Sequence, residues 1–314
     1  MSDTNVIETK GLRKTYSDFV AVDGLDLSVQ KNSFTGLLGP NGAGKSTILK
    51  MLTHLINATS GNAYINGVDV AEDPSRALTG VGVVVETLEF YLYMTPRETM
   101  TYIGEILGMN SESISSQTDE IMEKVKMSEW ADKKLGTFSK GMRQRVALGQ
   151  ALLNDPSVII LDEPTAGLDP RGMAETREVL KNLRNNTDNL TILMSSHMLY
   201  EVSDLCDRIS MINYGKLILD DDIEAVMAMN NKNHMVVRSN RTPDADMMSA
   251  LESLDGVESA ERSGNDVNVR LKSSNGKTKE AFFKGVGALD MGVYSVCEEE
   301  SLESVYLDLI KESK

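Results

Sequence analysis

Cysteine is scarce in this sequence. Cys206 and Cys297 are the only two among 314 residues, and their positions form no disulfide framework. The sequence therefore indicates a protein of a reducing compartment and argues against a secreted protein stabilised by disulfides.

Long apolar runs are also missing. No stretch approaches the ~18 uninterrupted apolar residues that a membrane-spanning helix needs, and no signal-peptide pattern opens the sequence. We expect no membrane-spanning segment, so any role at a membrane would require a separate membrane partner.

Positive charge is in deficit. Lys and Arg number 32 against 47 Asp and Glu, which gives a net charge of −15. Binding to nucleic acid needs a basic face, so the composition argues against a nucleic-acid partner.

The length suffices for two domains. The 18 scattered Met residues are expected to fill cores.

A glycine-rich loop is the first positive signal. The pattern G-x-x-x-x-G-K-[ST] begins at Gly39, after an apolar strand, and ahead of apolar residues at helical spacing. Such a loop curls its N–H groups around nucleoside-triphosphate phosphates, while its lysine reaches the β- and γ-phosphates and its hydroxyl ligates Mg²⁺. We call residues 39–47 the phosphate loop. It is predicted to bind the nucleotide through Gly39, Asn41, Gly42, Gly44, Lys45, Ser46 and Thr47, and Ser46 is also predicted to ligate the metal.

An acidic pair follows a second apolar run. Residues 158–161 indicate a strand buried on both faces of a parallel sheet, and Asp162 and Glu163 come directly after it. Carboxylates at this end of a strand lie at the ligand-binding edge. We expect Asp162 to hold Mg²⁺, through water, and Glu163 to polarise the attacking water.

One of the three histidines has a comparable setting. Residues 190–194 indicate another buried strand, and His197 lies at its end, so we interpret His197 as a sensor of the γ-phosphate. His54 and His234 have no such surroundings.

Together these motifs resemble the ATP-binding subunits of ABC transporters over about residues 5–222. The signature segment (residues 138–145) looks like the family signature, which in the family faces the γ-phosphate held by the opposite subunit. The resemblance implies that Ser139 and Gly141 contact ATP across a dimer, that Asp169 lies in the loop joining the two sites, and that Tyr16 stacks on adenine. It also implies ATP, Mg²⁺, a second copy of the subunit and a membrane-spanning permease.

The sequence departs from the family pattern at two places. The family signature usually reads Leu-Ser-Gly-Gly-Gln, and here Phe138, Lys140 and Met142 replace three of those residues. Glu86 stands where the family has a Gln that touches Mg²⁺ and the attacking water, so a catalytic and metal-binding role is expected for Glu86. The segment from Glu86 to Glu98 is similar to the drug-, antibiotic- and polysaccharide-exporter branch, and we expect it to bind the membrane subunit.

The predicted fold is α/β, a P-loop NTPase of the ABC type. Residues 1–222 would form the ATP-binding domain, with a mostly parallel core sheet and an antiparallel side sheet whose hairpin turns at Asn66-Gly67. A helical subdomain is expected at about 87–155, with helices at 99–107 and 116–125. The pattern Leu25-x-Leu27-x-Val29 indicates one half-buried antiparallel strand of the side sheet.

Residues 223–314 are predicted to form a separate α+β accessory domain. After a helix at 223–229, the order β-α-β-β-α-β suggests a small ferredoxin-like layer. Its strands are expected at 234–239, 257–262, 266–271 and 293–298, its helices at 244–254, 279–289 and 301–310. No catalytic cluster is apparent there, and dimer stabilisation or regulation, ligand sensing and a structural cap stay open.

The leading hypothesis is a peripheral ATPase at the cytoplasmic face of the membrane that dimerises around two ATP molecules and powers an exporter. An importer ATPase remains an alternative. A soluble ABC-type ATPase acting on ribosomes or DNA is a second one, disfavoured by the single phosphate loop and the acidic composition. The sequence does not name the substrate.

Overall fold

The computed structural model describes residues 5–85, 89–187, 189–230, 233–273 and 275–298, together with positions 302, 305, 306 and 309. The chain divides into two compact units, Met1–Asp222 and Ile223–Glu312. In the part of the chain that is described, no helix is both long and apolar enough to cross a bilayer.

The first unit combines strands and helices in alternation. Its described strands are β1 (Asn5–Tyr16), β2 (Phe19–Leu25), β3 (Ser28–Gln30), β4 (Phe34–Leu38), β5 (Ser60–Ile65), β6 (Val68–Asp69), β7 (Val81–Val84), β8 (Val158–Asp162), β9 (Thr191–Ser196), β10 (Arg208–Asn213) and β11 (Lys216–Asp222). Its described helices are α1 (Lys45–Leu52), α2 (Pro74–Ala77), α3 (Pro96–Ile106), α4 (Ser111–Lys124), α5 (Lys140–Leu152), α6 (Pro170–Asn186) and α7 (Leu199–Leu205), with 3-10 turns at Ser128–Trp130 and Leu135–Thr137.

The core sheet has the strand order β11-β10-β4-β9-β8-β7. All neighbours in it run parallel except β11, which is antiparallel to β10. Strand β9 lies between β4 and β8, and Ser195 is level with Leu37 on one side and Asp162 on the other. The loops after these three strands therefore meet at one edge of the sheet, where open α/β sheets bind ligands.

The side sheet is antiparallel, with the order β2-β1-β5-β6 and β3 paired to β1. The predicted hairpin at Asn66-Gly67 is present, and both residues have positive φ (51° and 75°), as a type I′ turn requires. The single strand expected around Leu25–Val29 is instead broken between β2 and β3. Asp26 lies at this break, and its side chain accepts a hydrogen bond of 2.6 Å from the N–H of Gly11.

The helices between β7 and β8 start earlier than their apolar spacing predicts. Helix α3 begins at Pro96 because Thr95 and Glu98 form a reciprocal capping box. Helix α4 begins at Ser111 because the Asn110 side chain accepts the N–H of Ser113 at 2.8 Å. The predicted starts at residues 99 and 116 are therefore too late by three and five residues.

The second unit opens with α8 (Ile223–Asn230), followed by β12 (His234–Ser239), α9 (Ala245–Glu252), β13 (Val257–Ser263), β14 (Asp266–Leu271), α10 (Gly276–Ala288) and β15 (Val293–Glu298). The sheet order is β13-β14-β12-β15, with antiparallel neighbours throughout. The predicted β-α-β-β-α-β order is thus present. Its core includes Val237, Leu251, Val269 and Phe282.

The predicted final helix at 301–310 falls mostly outside the described residues. The positions that are described, Leu302, Val305, Tyr306 and Leu309, are helical, and Leu302 and Val305 are buried.

Candidate active site

The phosphate loop joins the end of β4 to the start of α1. Gly44 has φ +103°, and a Cβ built on it would lie 2.5 Å from the carbonyl oxygen of Ala21. A Cβ on Gly39 would lie 2.5 Å from the carbonyl oxygen of Ile212. Both positions therefore require glycine, which lets the loop fold tightly against the neighbouring backbone.

Lys45 is held inside this loop, with only 5% of the residue exposed. Its ammonium donates hydrogen bonds to the carbonyls of Gly39 (2.8 Å) and Pro40 (3.2 Å) and lies 3.5 Å from a carboxylate oxygen of Glu163. The phosphate loop and the acidic end of β8 thus converge on one cation.

Asp162 and Glu163 are linked by a buried hydroxyl from β9. The Oγ of Ser195 donates to Oδ1 of Asp162 at 2.5 Å and accepts the backbone N–H of Glu163 at 2.9 Å. Glu163 itself has φ +44°, an uncommon conformation for a residue with a side chain. Ser195 therefore fixes both the metal-binding candidate and the backbone of the catalytic candidate.

His197 contacts the same carboxylate. Its Nδ1 lies 3.2 Å from Oε2 of Glu163, while the opposite oxygen of Glu163 faces Lys45. Three of the predicted residues, Lys45, Glu163 and His197, are therefore in one contiguous group.

The buried carboxylate of Glu201 connects the two loops on either side of this group. Glu201, at 2% exposure, accepts hydrogen bonds from the hydroxyls of Ser196 (3.0 Å) and Thr165. Ser196 precedes His197, and Thr165 lies two residues after Glu163. Glu201 thus ties together the two loops that carry the predicted catalytic residues.

The metal-binding candidates have the donors that Mg²⁺ prefers. Ser46 is exposed in the first turn of α1, and its hydroxyl makes no hydrogen bond to another described residue. Hydroxyl and carboxylate oxygens suit Mg²⁺, which usually takes one or two protein ligands and completes its shell with water and phosphate. The described residues include no group of three or more His, Cys, Asp or Glu side chains that could hold a metal by themselves.

The signature segment starts helix α5. Ser139 is its N-cap and accepts the N–H of Met142 at 3.2 Å, and Lys140 donates to the carbonyl of Ala166 at 2.9 Å. Phe138 is buried edge-on against Trp130. No hydrogen bond joins Ser139 to Lys45, Glu163 or His197 within the described part of the chain. The signature segment instead contacts the loop after Glu163 through Lys140.

The hydrogen bond of Asp169 and the cation–π contact of Tyr16 do not involve Lys45, Glu163 or His197. Asp169 is exposed and caps α6 by accepting the N–H of Gly172 at 2.9 Å. Tyr16 is half-exposed at the end of β1, with the ammonium of Lys14 5.1 Å from its ring centroid. Glu86 lies outside the described residues.

Sequence reasoning missed Ser195, Glu201 and Thr165. A buried hydroxyl or carboxylate leaves no local pattern, and these contacts join residues more than 30 positions apart. The only available signal was the Ser195-Ser196 pair at the end of a predicted buried strand.

Comparison with known proteins bears on this arrangement. The sequence profile of the family described as ABC transporter matches residues 22–166. The chain is 37% identical over 229 residues to the bacitracin transport ATP-binding protein BcrA of Bacillus licheniformis, covering 73% of this chain and 74% of that protein. The chain belongs to the ABC transporter family.

Two further comparisons agree. The Nod factor export ATP-binding protein I of Burkholderia lata is 37% identical over 214 residues, covering 68% of this chain and 70% of that one. The crystal structure of an ATP-binding cassette of an ABC transporter in its ADP conformation aligns with a TM-score of 0.61 and 27% identity, covering 70% of this chain and 92% of that one. The predicted α/β P-loop fold is confirmed. This ABC transporter ATP-binding subunit binds ATP and couples its hydrolysis to transport.

Proposed function

We propose that two copies of this subunit enclose two ATP molecules and drive export through a separate permease at the cytoplasmic face of the membrane. The observation that carries the proposal is the contact group of Lys45, Glu163 and His197. It combines a phosphate-binding cation, a base and a polar sensor at the ligand-binding edge of a parallel sheet.

ATP would bind with its phosphates in the phosphate loop. The N–H groups of the loop and the positive N-terminal end of α1 face the phosphates, and Lys45 neutralises the β- and γ-oxygens. The hydrogen bonds from Lys45 to the carbonyls of Gly39 and Pro40 hold its ammonium inside the loop. We expect Tyr16 to stack on the adenine.

The hydroxyl of Ser46 and the carboxylate of Asp162 would hold Mg²⁺, with Glu86 as a third candidate. When bound, Mg²⁺ supplies positive charge that offsets the charge developing on the phosphoryl oxygens. Ser195 orients Asp162 through its 2.5 Å hydrogen bond, and so fixes the direction of that carboxylate.

Glu163 would accept the proton of the attacking water as the water approaches the γ-phosphate. The 3.2 Å contact with His197 and the hydrogen bond from its own N–H to Ser195 restrict the orientation of Glu163. His197 is then placed to donate a hydrogen bond to a γ-phosphate oxygen.

The signature segment would act on the ATP of the opposite subunit. Ser139 and Gly141 lie at the N-terminal end of α5, whose first turn carries no acidic side chain. That end attracts anions. Asp169 would lie in the loop between the two sites.

An exposed aromatic cluster supports a permease partner. The rings of Tyr93 and Tyr102 lie 5.7 Å and 6.2 Å from that of Tyr91, and all three side chains are substantially exposed. Aromatic residues are enriched at the centres of protein interfaces. Export is favoured over import because a close relative is named for export.

The test is ATP hydrolysis by the purified protein. Lys45→Ala should abolish phosphate release and weaken ATP binding about 10–100-fold, since a hydrogen bond to a charged group contributes roughly 1.5–3 kcal/mol. Lys31→Ala, at an exposed lysine outside the loop, serves as the control and should hydrolyse normally. Hydrolysis by Lys45→Ala at the wild-type rate would refute the assignment of the phosphate loop.

A further inference from the structure

The first turn of the signature helix α5 touches the loop that follows the catalytic carboxylate. The ammonium of Lys140 donates to the carbonyl of Ala166 at 2.9 Å. The same ammonium is so close to Gly167 that a Cβ on this glycine would lie 2.6 Å from it. A Cβ on Gly141 would lie 3.1 Å from Cα of Gly172, at the start of α6.

One turn further along, an ion pair joins the same two helices. Arg145 of α5, which is mostly buried, lies 2.9 Å from Glu175 of α6, and Glu175 also pairs with Arg171 at 2.8 Å. Arg145 is mostly buried and Glu175 partly so, and the pair joins α5 to α6 at this point. Lys140 extends this connection to the loop itself.

The position of Lys140 has a consequence in the proposed dimer. The loop after Glu163 begins at the base for the ATP bound by its own subunit and runs to Asp169, which would lie between the two sites. The start of α5 serves the ATP of the opposite subunit. The hydrogen bond from Lys140 to Ala166 directly connects the start of α5 to this loop. The glycine that the family signature usually has at this position offers no side chain for such a contact.

We infer that Lys140 is a positioning residue that couples the two ATP sites of the dimer through its hydrogen bond to Ala166. The inference rests on the proposed function, because it needs two subunits that share two ATP sites. A shift of the loop at Glu163 when γ-phosphate is bound changes the position of the Ala166 carbonyl. Because Lys140 is bonded to that carbonyl, the N-terminal end of α5, which binds the ATP of the opposite subunit, moves with it.

A different role for Lys140 predicts different kinetics. If its charge served only to attract the γ-phosphate of the opposite subunit, removing it would raise the ATP concentration needed for half-saturation and leave the cooperativity alone. A coupling role predicts loss of cooperativity, since coupling between sites is what the Hill coefficient reports.

The experiment measures the ATP dependence of hydrolysis by the full chain. For two coupled sites the wild-type Hill coefficient should lie clearly above one and reach at most about two. Lys140→Met, which keeps the length but removes the donor, should lower it to about one. Lys140→Arg, which keeps a donor, should restore most of it. Lys134→Met serves as the matched control, because the Lys134 side chain makes no hydrogen bond or ion pair with another described residue, and it should match wild type.

Two results would overturn the inference. The first is an unchanged Hill coefficient in Lys140→Met, including the case in which the wild type itself shows no cooperativity. The second is equal loss of cooperativity in Lys140→Met and Lys134→Met. ATP-dependent dimerisation of Glu163→Gln in gel filtration separates the two proposals. A dimer with an unchanged Hill coefficient rejects only the coupling, whereas absence of the dimer rejects the proposed function and the coupling with it.

Discussion

Ser195 and Ser196 are adjacent in the sequence but serve different loops, as successive residues of a strand point to opposite sides. Ser195 binds Asp162 and the N–H of Glu163, while Ser196 binds Glu201 and the N–H of Met198. The end of β9 thus connects the loop that carries the acidic pair to the turn that carries His197. The positions of the reactive groups depend on hydroxyls that do not react.

Ser195→Ala tests this dependence at the residue scale. The change leaves the N–H of Glu163 and one oxygen of Asp162, both in half-buried residues, without their partner, which costs at most about 1–3 kcal/mol for each group. We expect kcat for hydrolysis to fall about 10–100-fold, as when supporting groups of a metal site are removed. The KM for ATP should change little, since the phosphate loop is untouched.

Ser203→Ala, at an exposed serine on α7, is the matched control for steady-state kinetics and should be indistinguishable from wild type. A Ser195→Ala protein with a wild-type kcat would show that the serine has no part in positioning the acidic pair.

At the scale of elements, the sequence shows where apolar faces repeat and leaves open where helices begin. The motifs at Gly39–Ser46 and Asp162-Glu163 could be located because each is local and lies at the end of a strand of five residues. The start of α10 at Gly276 was missed because it depends on the Asn275 side chain accepting the N–H of Thr278. The Glu201 network was missed because it forms only when separate loops meet.

The aromatic cluster at the start of the helical region carries a prediction of its own. A cysteine at Tyr91 should crosslink to the permease in membranes, because exposed aromatic side chains mark an interface. The background is Cys297→Ser. Cys206 can stay, since burial raises the pKa of its thiol and keeps it unreactive.

The control is Tyr214→Cys. Tyr214 lies in the turn between β10 and β11 and is at least as exposed as Tyr91, so this variant should give no crosslink to the permease. Crosslinking from position 214 but not from position 91 would place the permease on another face.

At the scale of the whole molecule, each unit has its own core. The core cluster of the first unit draws on residues between Val6 and Leu217, and that of the second on residues between Met235 and Val296. We propose that the first unit is the ATP-binding domain and the second an accessory domain. The role of the second unit could not be predicted from the sequence, because its apolar pattern specifies how the unit packs and it has no evident cluster of catalytic residues.

A chain that ends at Asp222 should therefore fold and bind ATP. The measurement is thermal unfolding with and without ATP, since a ligand that binds only the folded state raises the Tm. An insoluble protein, or a soluble one that ATP does not stabilise, would show that the first unit needs the second.

The central claim is that two subunits share their ATP sites, and one measurement tests it most directly. Glu163→Gln keeps the shape of the side chain but removes the charge that activates water. With ATP and Mg²⁺ this variant should elute in gel filtration at about twice the 34.4 kDa of the chain.

Adding Ser139→Arg should abolish that dimer while the monomer still binds ATP, because Ser139 acts on the opposite subunit. Adding Ser128→Arg instead, at an exposed serine that begins a 3-10 turn, should leave the dimer intact. If Glu163→Gln stays monomeric with ATP and Mg²⁺, or if the Ser139→Arg double variant still dimerises, the shared-site account is contradicted.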